Sequence, residues 1–177
     1  MSHNIEIKAR IESVASFAAR AAALADQGPT DIAQDDTFFA CANGRLKLRE
    51  FSATAGELIH YCRADVAGPK SSFFVRVPTT TPAALREVLS LALGQAGRVR
   101  KLRTLYQVGR TRIHLDRVDG LGEFLELEVM LAAGEPAARG VREAEALMAR
   151  LGVGPAHLVQ GAYVDLLAAT RAGAGSA

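Results

Sequence analysis

Charged and apolar residues alternate along several separate stretches of this chain: Asn4-Ile5-Glu6-Ile7-Lys8-Ala9-Arg10, Arg45-Leu46-Lys47-Leu48-Arg49 and Phe124-Leu125-Glu126-Leu127-Glu128-Val129. Two is the period of a β-strand, in which successive side chains point to opposite faces. Each stretch therefore sends its charges to one side and its aliphatics to the other. If these strands share a sheet, the charges share a surface. Lys47 and Arg49, Lys101 and Arg103, and Glu126 and Glu128 each stand two apart, which sets like charges side by side on one face. Such neighbours repel unless counter-charge reaches them. A divalent cation would draw the carboxylates together, and a phosphate chain would satisfy the basic groups. The competing reading is a half-solvated antiparallel sheet whose polar side simply faces water.

The length of 177 residues suits one domain with a sizeable core, here residues 1–169, followed by an Ala/Gly/Ser-rich tail, 170–177, that reads as disordered. The net charge of +2 argues against general nucleic-acid binding, so any basic surface is local. Cys41 and Cys62 have no paired metal spacing and read as reduced thiols of a cytoplasmic protein. No signal peptide fits Met1–Arg10, where a strand pattern begins at once, and no apolar run is long enough to span a bilayer.

Period and punctuation predict an α+β chain. A helix is expected from Ser13 to about Asp26, stopping near Gly28-Pro29, and a short strand or ordered loop over Gln34–Phe39. Arg45–Phe51 and Leu58–Arg63 form a hairpin, and Ser72–Val77 is another strand. Thr81-Pro82 opens a helix running to about Gln95. Val99–Val108 and Thr111–Val118 form a second hairpin turning at Gly109, and Glu123–Leu131 is the last strand. Helices follow from Pro136 to Leu151 and over about Ala156–Ala168. Sequential hairpins favour antiparallel pairing, with helices covering the apolar side of the sheet. The charged side either faces open water or lines a barrel.

These segments, in this order, resemble the CYTH superfamily, named for class IV adenylyl cyclase and thiamine triphosphatase. Asn4-Ile5-Glu6-Ile7-Lys8 is similar to its Glu-x-Glu-x-Lys signature, with Asn in place of the first Glu. Arg45–Arg49, Tyr61-x-Arg63 followed by Gly68–Ser72, and Val99–Arg103 resemble its basic strands. His114–Glu128 is the longest match and looks most like the class IV adenylyl cyclase branch. The resemblance implies a closed eight-stranded antiparallel β-barrel, a tunnel covered by a few helices, that binds a triphosphate with Mg²⁺ or Mn²⁺. By match of position, it implies Glu6, Glu126, Glu128 and Asp116 as metal ligands. Lys8, Lys47, Arg49, Arg63, Lys101, Arg103 and Arg112 would grip phosphate oxygens, with Asp116, Lys101 and Arg103 in catalytic roles. Arg45, Lys70 and His114 are weaker candidates.

Attack on the α-phosphorus by a ribose hydroxyl would make cyclic AMP and pyrophosphate from ATP. Attack by water would make the chain a triphosphatase acting on thiamine triphosphate, tripolyphosphate or a nucleotide. In either reaction positioning and charge neutralisation supply most of the rate. The missing negative charge at Asn4 keeps a third reading open, a non-catalytic module that holds a polyphosphate or nucleotide. The expected partner is a small-molecule triphosphate rather than a nucleic acid or a membrane, and a homodimer is left open.

Overall fold

The structure, a computed structural model, describes residues 2–174. The strands are β1 (Ser2–Arg10), β2 (Gln27–Phe39), β3 (Arg45–Ser52), β4 (Ala55–Arg63), β5 (Lys70–Thr79), β6 (Gln95–Val108), β7 (Thr111–Val118) and β8 (Gly122–Met130). They close an eight-stranded barrel in the order β1-β5-β4-β3-β2-β6-β7-β8, and every neighbouring pair is antiparallel. The helices are α1 (Val14–Leu24), α2 (Pro82–Leu93), α3 (Ala137–Leu151) and α4 (Tyr163–Ala174), with a short 3₁₀ turn at Pro155–His157. Among the described residues no helix is long and apolar enough to cross a membrane.

The alternation works as anticipated. Ile5, Ile7 and Ala9 of β1 stand opposite Val129, Leu127 and Leu125 of β8. Their outward side chains join Ile113 and Leu115 of β7 in a core sealed by Phe17 and Ala21 of α1 and by Ala144, Leu147 and Leu151 of α3. Each buried Ile, Leu, Val or Phe among them contributes about 1.5–3 kcal/mol. α3 lies close to the barrel because Gly140 has no side chain: a Cβ there would sit 2.7 Å from both Ile5 and Leu131. Ser13 caps α1 through its hydroxyl, which accepts from the Ala15 N–H.

Four boundaries differ from the sequence reading. β2 is 13 residues long rather than the short Gln34–Phe39 segment: Gln27 and residues 30–33, which the sequence reading left unassigned beyond the helix stop at Gly28-Pro29, also pair with β6. α2 ends at Leu93, because Gly94 takes a positive φ of 74° and Gln95 already belongs to β6. The expected helix over Ala156–Ala168 is broken: Gly161, at φ 84°, turns the chain between the 3₁₀ turn and α4. α4 continues through Ala174, so 170–174 is helical rather than a disordered tail. Residues 175–177 of that tail lie outside the described residues.

α4 also fixes the shape of the interior. Ala162, Tyr163, Val164 and Leu167 pack on Phe38, Val99, Val118 and Phe124, closing one end of the barrel with a second apolar core. Asp165 of α4 accepts hydrogen bonds from Arg45 at 2.8 Å and from the Ala162 N–H at 2.9 Å, which secures that closure.

Candidate active site

Period two places a single set of side chains inside the barrel. They surround a cavity of about 390 Å³ whose lining includes eight Lys and Arg residues and five carboxylates. Moving away from the α4 end, β6 contributes Val99, Lys101, Arg103, Leu105 and Gln107, β2 contributes Phe38, Asp36, Gln34 and Ile32, and β3 contributes Lys47, Arg49 and Phe51. Register ties these rows together: Asp36 stands opposite Arg49, Phe38 opposite Lys47, Gln34 opposite Lys101 and Ile32 opposite Arg103. The interior therefore has an apolar closed end, a charged middle and a partly apolar mouth.

The like charges that the sequence sets side by side are neutralised by the protein itself. Asp36 accepts from Lys47 Nζ at 2.7 Å and from Arg49 Nε and Nη2 at 2.7 and 2.8 Å. Asp116, with no exposed surface, accepts from Lys101 Nζ at 2.9 Å, from Arg103 Nε and Nη2 at 2.7 Å each, and from the Tyr163 hydroxyl at 3.0 Å. Arg103 also donates to Glu126 at 2.6 Å, and Lys8 Nζ lies 3.4 Å from that carboxylate. Arg63 pairs with Glu6, and both Arg63 and Lys8 donate to the carbonyl of Gly161. Arg112 lies 3.6 Å from Glu128. Lys8 and Lys101 also face the ring of Tyr163, at 3.8 and 4.9 Å from its centroid.

Burial and these partners tune the ionisation. Burial, aided by Arg49, brings Lys47 down to about 7 against the pull of Asp36. Burial likewise lowers Lys8 to about 8, with Arg63 and Lys101 pushing it the same way and Glu126 opposing. Lys101 is lowered by burial and then by Arg103. For Asp36 and Asp116 burial alone would raise the carboxyl, but Arg49 and Lys47, or Arg103 and Lys101, hold each well below the usual range. Glu126 is kept ionised in the same way, by Lys8 and then Lys101. Burial and then Arg103 lower His114, which keeps its ring neutral.

Glu6 and Glu128 stand directly opposite one another across β1 and β8, both facing inward, and Glu126 is the next inward residue on β8. They are not gathered into a cage: among the described residues no three His, Cys, Asp or Glu side chains are placed to hold a metal ion. Each turns to a cation instead. Two buried atoms nearby have no hydrogen-bond partner, the Asn4 side-chain oxygen and His114 Nδ1, the latter 3.9 Å from both Glu126 and Glu128. Oxygen donors of this kind, two of them forced together by register, fit a hard divalent cation in chemistry. Asn4 is 1% exposed and offers a neutral oxygen where a carboxylate would carry charge.

Of the residues expected at the site, Glu6, Lys8, Lys47, Arg49, Arg63, Lys101, Arg103, Arg112, His114, Glu126 and Glu128 all line this one cavity. Asp116 does not line it; it lies behind Lys101 and Arg103 with its oxygens already engaged, as a positioning group for both cations rather than an open ligand. Arg45 and Lys70 also lie outside the lining: Arg45 binds Asp65 and Asp165, and Lys70 donates to the Val66 carbonyl. The sequence reading missed Asp36, the counter-charge for Lys47 and Arg49. Its signal was weak, since the facing of β2 could not be set while Gln34–Phe39 read as a short strand or an ordered loop. Tyr163 docks α4 on the second apolar core, and its hydroxyl also donates to Asp116.

The comparisons with known proteins agree with this geometry. No match to this chain is found among curated proteins. Among solved structures, the PH1012 protein of Pyrococcus horikoshii superposes with a TM-score of 0.82 at 20% identity, over 93% of this chain and 99% of that one. A protein of Vibrio parahaemolyticus described as a "putative adenylate cyclase" gives 0.75 at 19% identity, over 93% and 97%. The "putative adenylyl cyclase HpAC1" of Hippeastrum gives 0.66 at 18% identity, over 94% and 96%. At these identities the likeness establishes the fold. The CYTH domain profile matches residues 2–163, and the chain belongs to that family.

Proposed function

We propose that this chain is a metal-dependent enzyme that holds a triphosphate in the barrel and cleaves it. The reaction is of the class IV adenylyl cyclase type, turning ATP into cyclic AMP and pyrophosphate. The observation that carries the reading is the paired charge of the interior: Lys47 with Arg49 and Lys101 with Arg103 each share one buried acid. An acid shared between two cations leaves donor capacity unused, and a polyanion can take it up. Lys101 and Arg103, held in place by Asp116, would grip phosphoryl oxygens from β6, and Lys47 and Arg49, held by Asp36, from β3, two strands round the barrel. Lys8, Arg63 and Arg112 would extend the grip, and Glu6, Glu126 and Glu128, once these cations turn to the guest, would hold Mg²⁺ or Mn²⁺. A metal held there would supply charge neutralisation at the oxygens where negative charge develops. The protein's own contribution is to align the phosphate chain and to fix the guanidinium groups before reaction, so that little reorganisation is needed.

Hydrolysis is the second reading. It is favoured by an open mouth, where Phe51 is 38% exposed and the Arg76 side chain 42%, so that water reaches the cavity. The Hippeastrum relative is reported to have a dominant triphosphatase activity, and its fold matches here at 18% identity. One assay separates the two: ATP, thiamine triphosphate and tripolyphosphate incubated with Mg²⁺ or Mn²⁺, with cyclic AMP, pyrophosphate and orthophosphate measured together. Cyclic AMP with pyrophosphate supports the cyclase, and orthophosphate the hydrolase. Absence of turnover of all three with both metals would overturn the enzymatic reading.

A further inference from the structure

α4 begins at the cavity. Its first residue, Tyr163, is 6% exposed and lines the interior, as does Ala162 before it. Gly161 turns the chain there at φ 84°, a conformation open to glycine and costly for other residues. Asp165 fixes the turn by accepting from the Ala162 N–H at 2.9 Å and from Arg45 of β3 at 2.8 Å. Cations from three separate strands meet this turn: Lys8 of β1, Arg63 of β4 and Lys101 of β6. The Gly161 carbonyl accepts from Lys8 Nζ at 3.1 Å and from Arg63 Nη2 at 3.3 Å. The Tyr163 ring faces the ammonium groups of Lys8 and Lys101, 3.8 and 4.9 Å from its centroid. Its hydroxyl donates at 3.0 Å to Asp116, the acid shared by Lys101 and Arg103.

A lysine is a point charge on a flexible stem, so a single contact fixes it poorly. A carboxylate that orients a lysine also cancels its charge. A carbonyl dipole or a π face orients the ammonium and leaves its charge for a guest. Lys8 has both kinds of partner: Glu126 at 3.4 Å is the acid, and Gly161 and Tyr163 are neutral. When Glu126 turns to another cation, the two neutral contacts remain.

We infer that Tyr163 is a positioning residue of the phosphate site: its ring, with the Gly161 carbonyl beside it, forms a floor that aims Lys8 and Lys101 at the guest without cancelling their charge. This rests on the triphosphate reading above and adds to that site a part that lies outside the strands. α4 then does more than close the barrel, since its first residue completes the set of groups that hold the phosphates.

The test is calorimetric titration of the full chain with tripolyphosphate, with metal chelated so that turnover does not intervene. Tyr163→Phe keeps the ring and its negative face and sets the reference. Tyr163→pentafluorophenylalanine keeps the shape of the ring and reverses the charge of its face, and is expected to bind tripolyphosphate about tenfold more weakly than Tyr163→Phe. In the Lys8→Met background, where one of the two ammonium groups is gone, the same exchange is expected to cost only about threefold. Leu167→Ala, in the same apolar core but outside the cavity lining, is expected to lower the melting temperature and leave tripolyphosphate affinity within about twofold of wild type. Equal affinity of the two ring variants, an equal loss in the Lys8→Met background, or a tenfold loss from Leu167→Ala would overturn the positioning role while the triphosphate site stands. Failure of the wild type to bind tripolyphosphate would overturn the site itself, and the floor with it.

Discussion

Two lysines in the cavity are only partly charged near neutral pH, and a polyanionic guest should charge them. Lys47 has been brought down to about 7 and Lys8 to about 8, both from 10.5, with burial the leading cause. At pH 8 a lysine of pKa 7 lacks about 0.9 proton and one of pKa 8 lacks about 0.5. Phosphate oxygens beside these amines favour the ammonium form and return each pKa toward its ordinary value. Binding of tripolyphosphate at pH 8 should therefore draw about 1.4 protons into the site from buffer. Lys47→Arg keeps the charge and removes the titration, so it should take up about 0.9 proton fewer. The difference should shrink to about 0.1 proton at pH 6, where Lys47 is already protonated. Calorimetry in two buffers of different ionisation enthalpy reads this number directly, and the ligand's own ionisation cancels between the two proteins. The wild-type affinity should also fall by up to about tenfold per pH unit for each lysine above its ligand-free pKa. Equal proton uptake by wild type and Lys47→Arg at pH 8 would refute the placement of Lys47 against the phosphates.

Stability should follow the same group in the opposite sense. The folded pKa of Lys47 lies below its unfolded value of 10.5, so the cost of burying its charge is complete below pH 7 and is relieved as pH rises. The ligand-free protein should gain about 2 kcal/mol between pH 7 and 9 from this residue, a gain that chemical denaturation at the two pH values would show and that Lys47→Arg would flatten. Asp116→Asn should cost about 3–5 kcal/mol of stability, because it leaves Lys101 and Arg103 without their shared acid. Saturating tripolyphosphate should raise the melting temperature of that variant more than that of the wild type, and an equal rise would argue against phosphates replacing the carboxylate. Asn4→Glu should tighten Mn²⁺ binding, measured by calorimetry, while lowering metal-free stability, since the new acid is buried beside Glu6 and Glu128. Unchanged metal affinity would remove Asn4 from the neighbourhood of the cation.

Much of this site was legible because a strand alternates strictly. Once Glu6, Lys47 and Glu126 were assigned to one face, Asn4, Lys8, Arg49 and Glu128 followed as second neighbours, and the cavity contains them all, while Arg45 falls beyond its end. The role of Asp116 was also within reach. Counting back from the Gly109 turn puts Arg103 opposite Asp116, the pairing observed. Resemblance to a family signature drew attention to the residue as a metal ligand and away from that simple register. Asp36 was harder. Its strand begins with residues that have weak β propensity and is held by long pairing with β6, an interaction between segments some 70 residues apart that no local pattern announces. The break in the last helix at Gly161 was likewise hidden, since an isolated glycine inside a helical pattern is tolerated at a cost of only about 1 kcal/mol.

The helix wedged against one end of the barrel makes the lumen a cul-de-sac. A guest must back out along the route by which it came in. If cleavage splits it into an inner and an outer fragment, the two depart in a fixed sequence, the one nearer the opening first. Rapid turnover would then depend on how quickly the deeper, more highly charged fragment is let go, so that salt should hasten its release more than it disturbs the bond-breaking step.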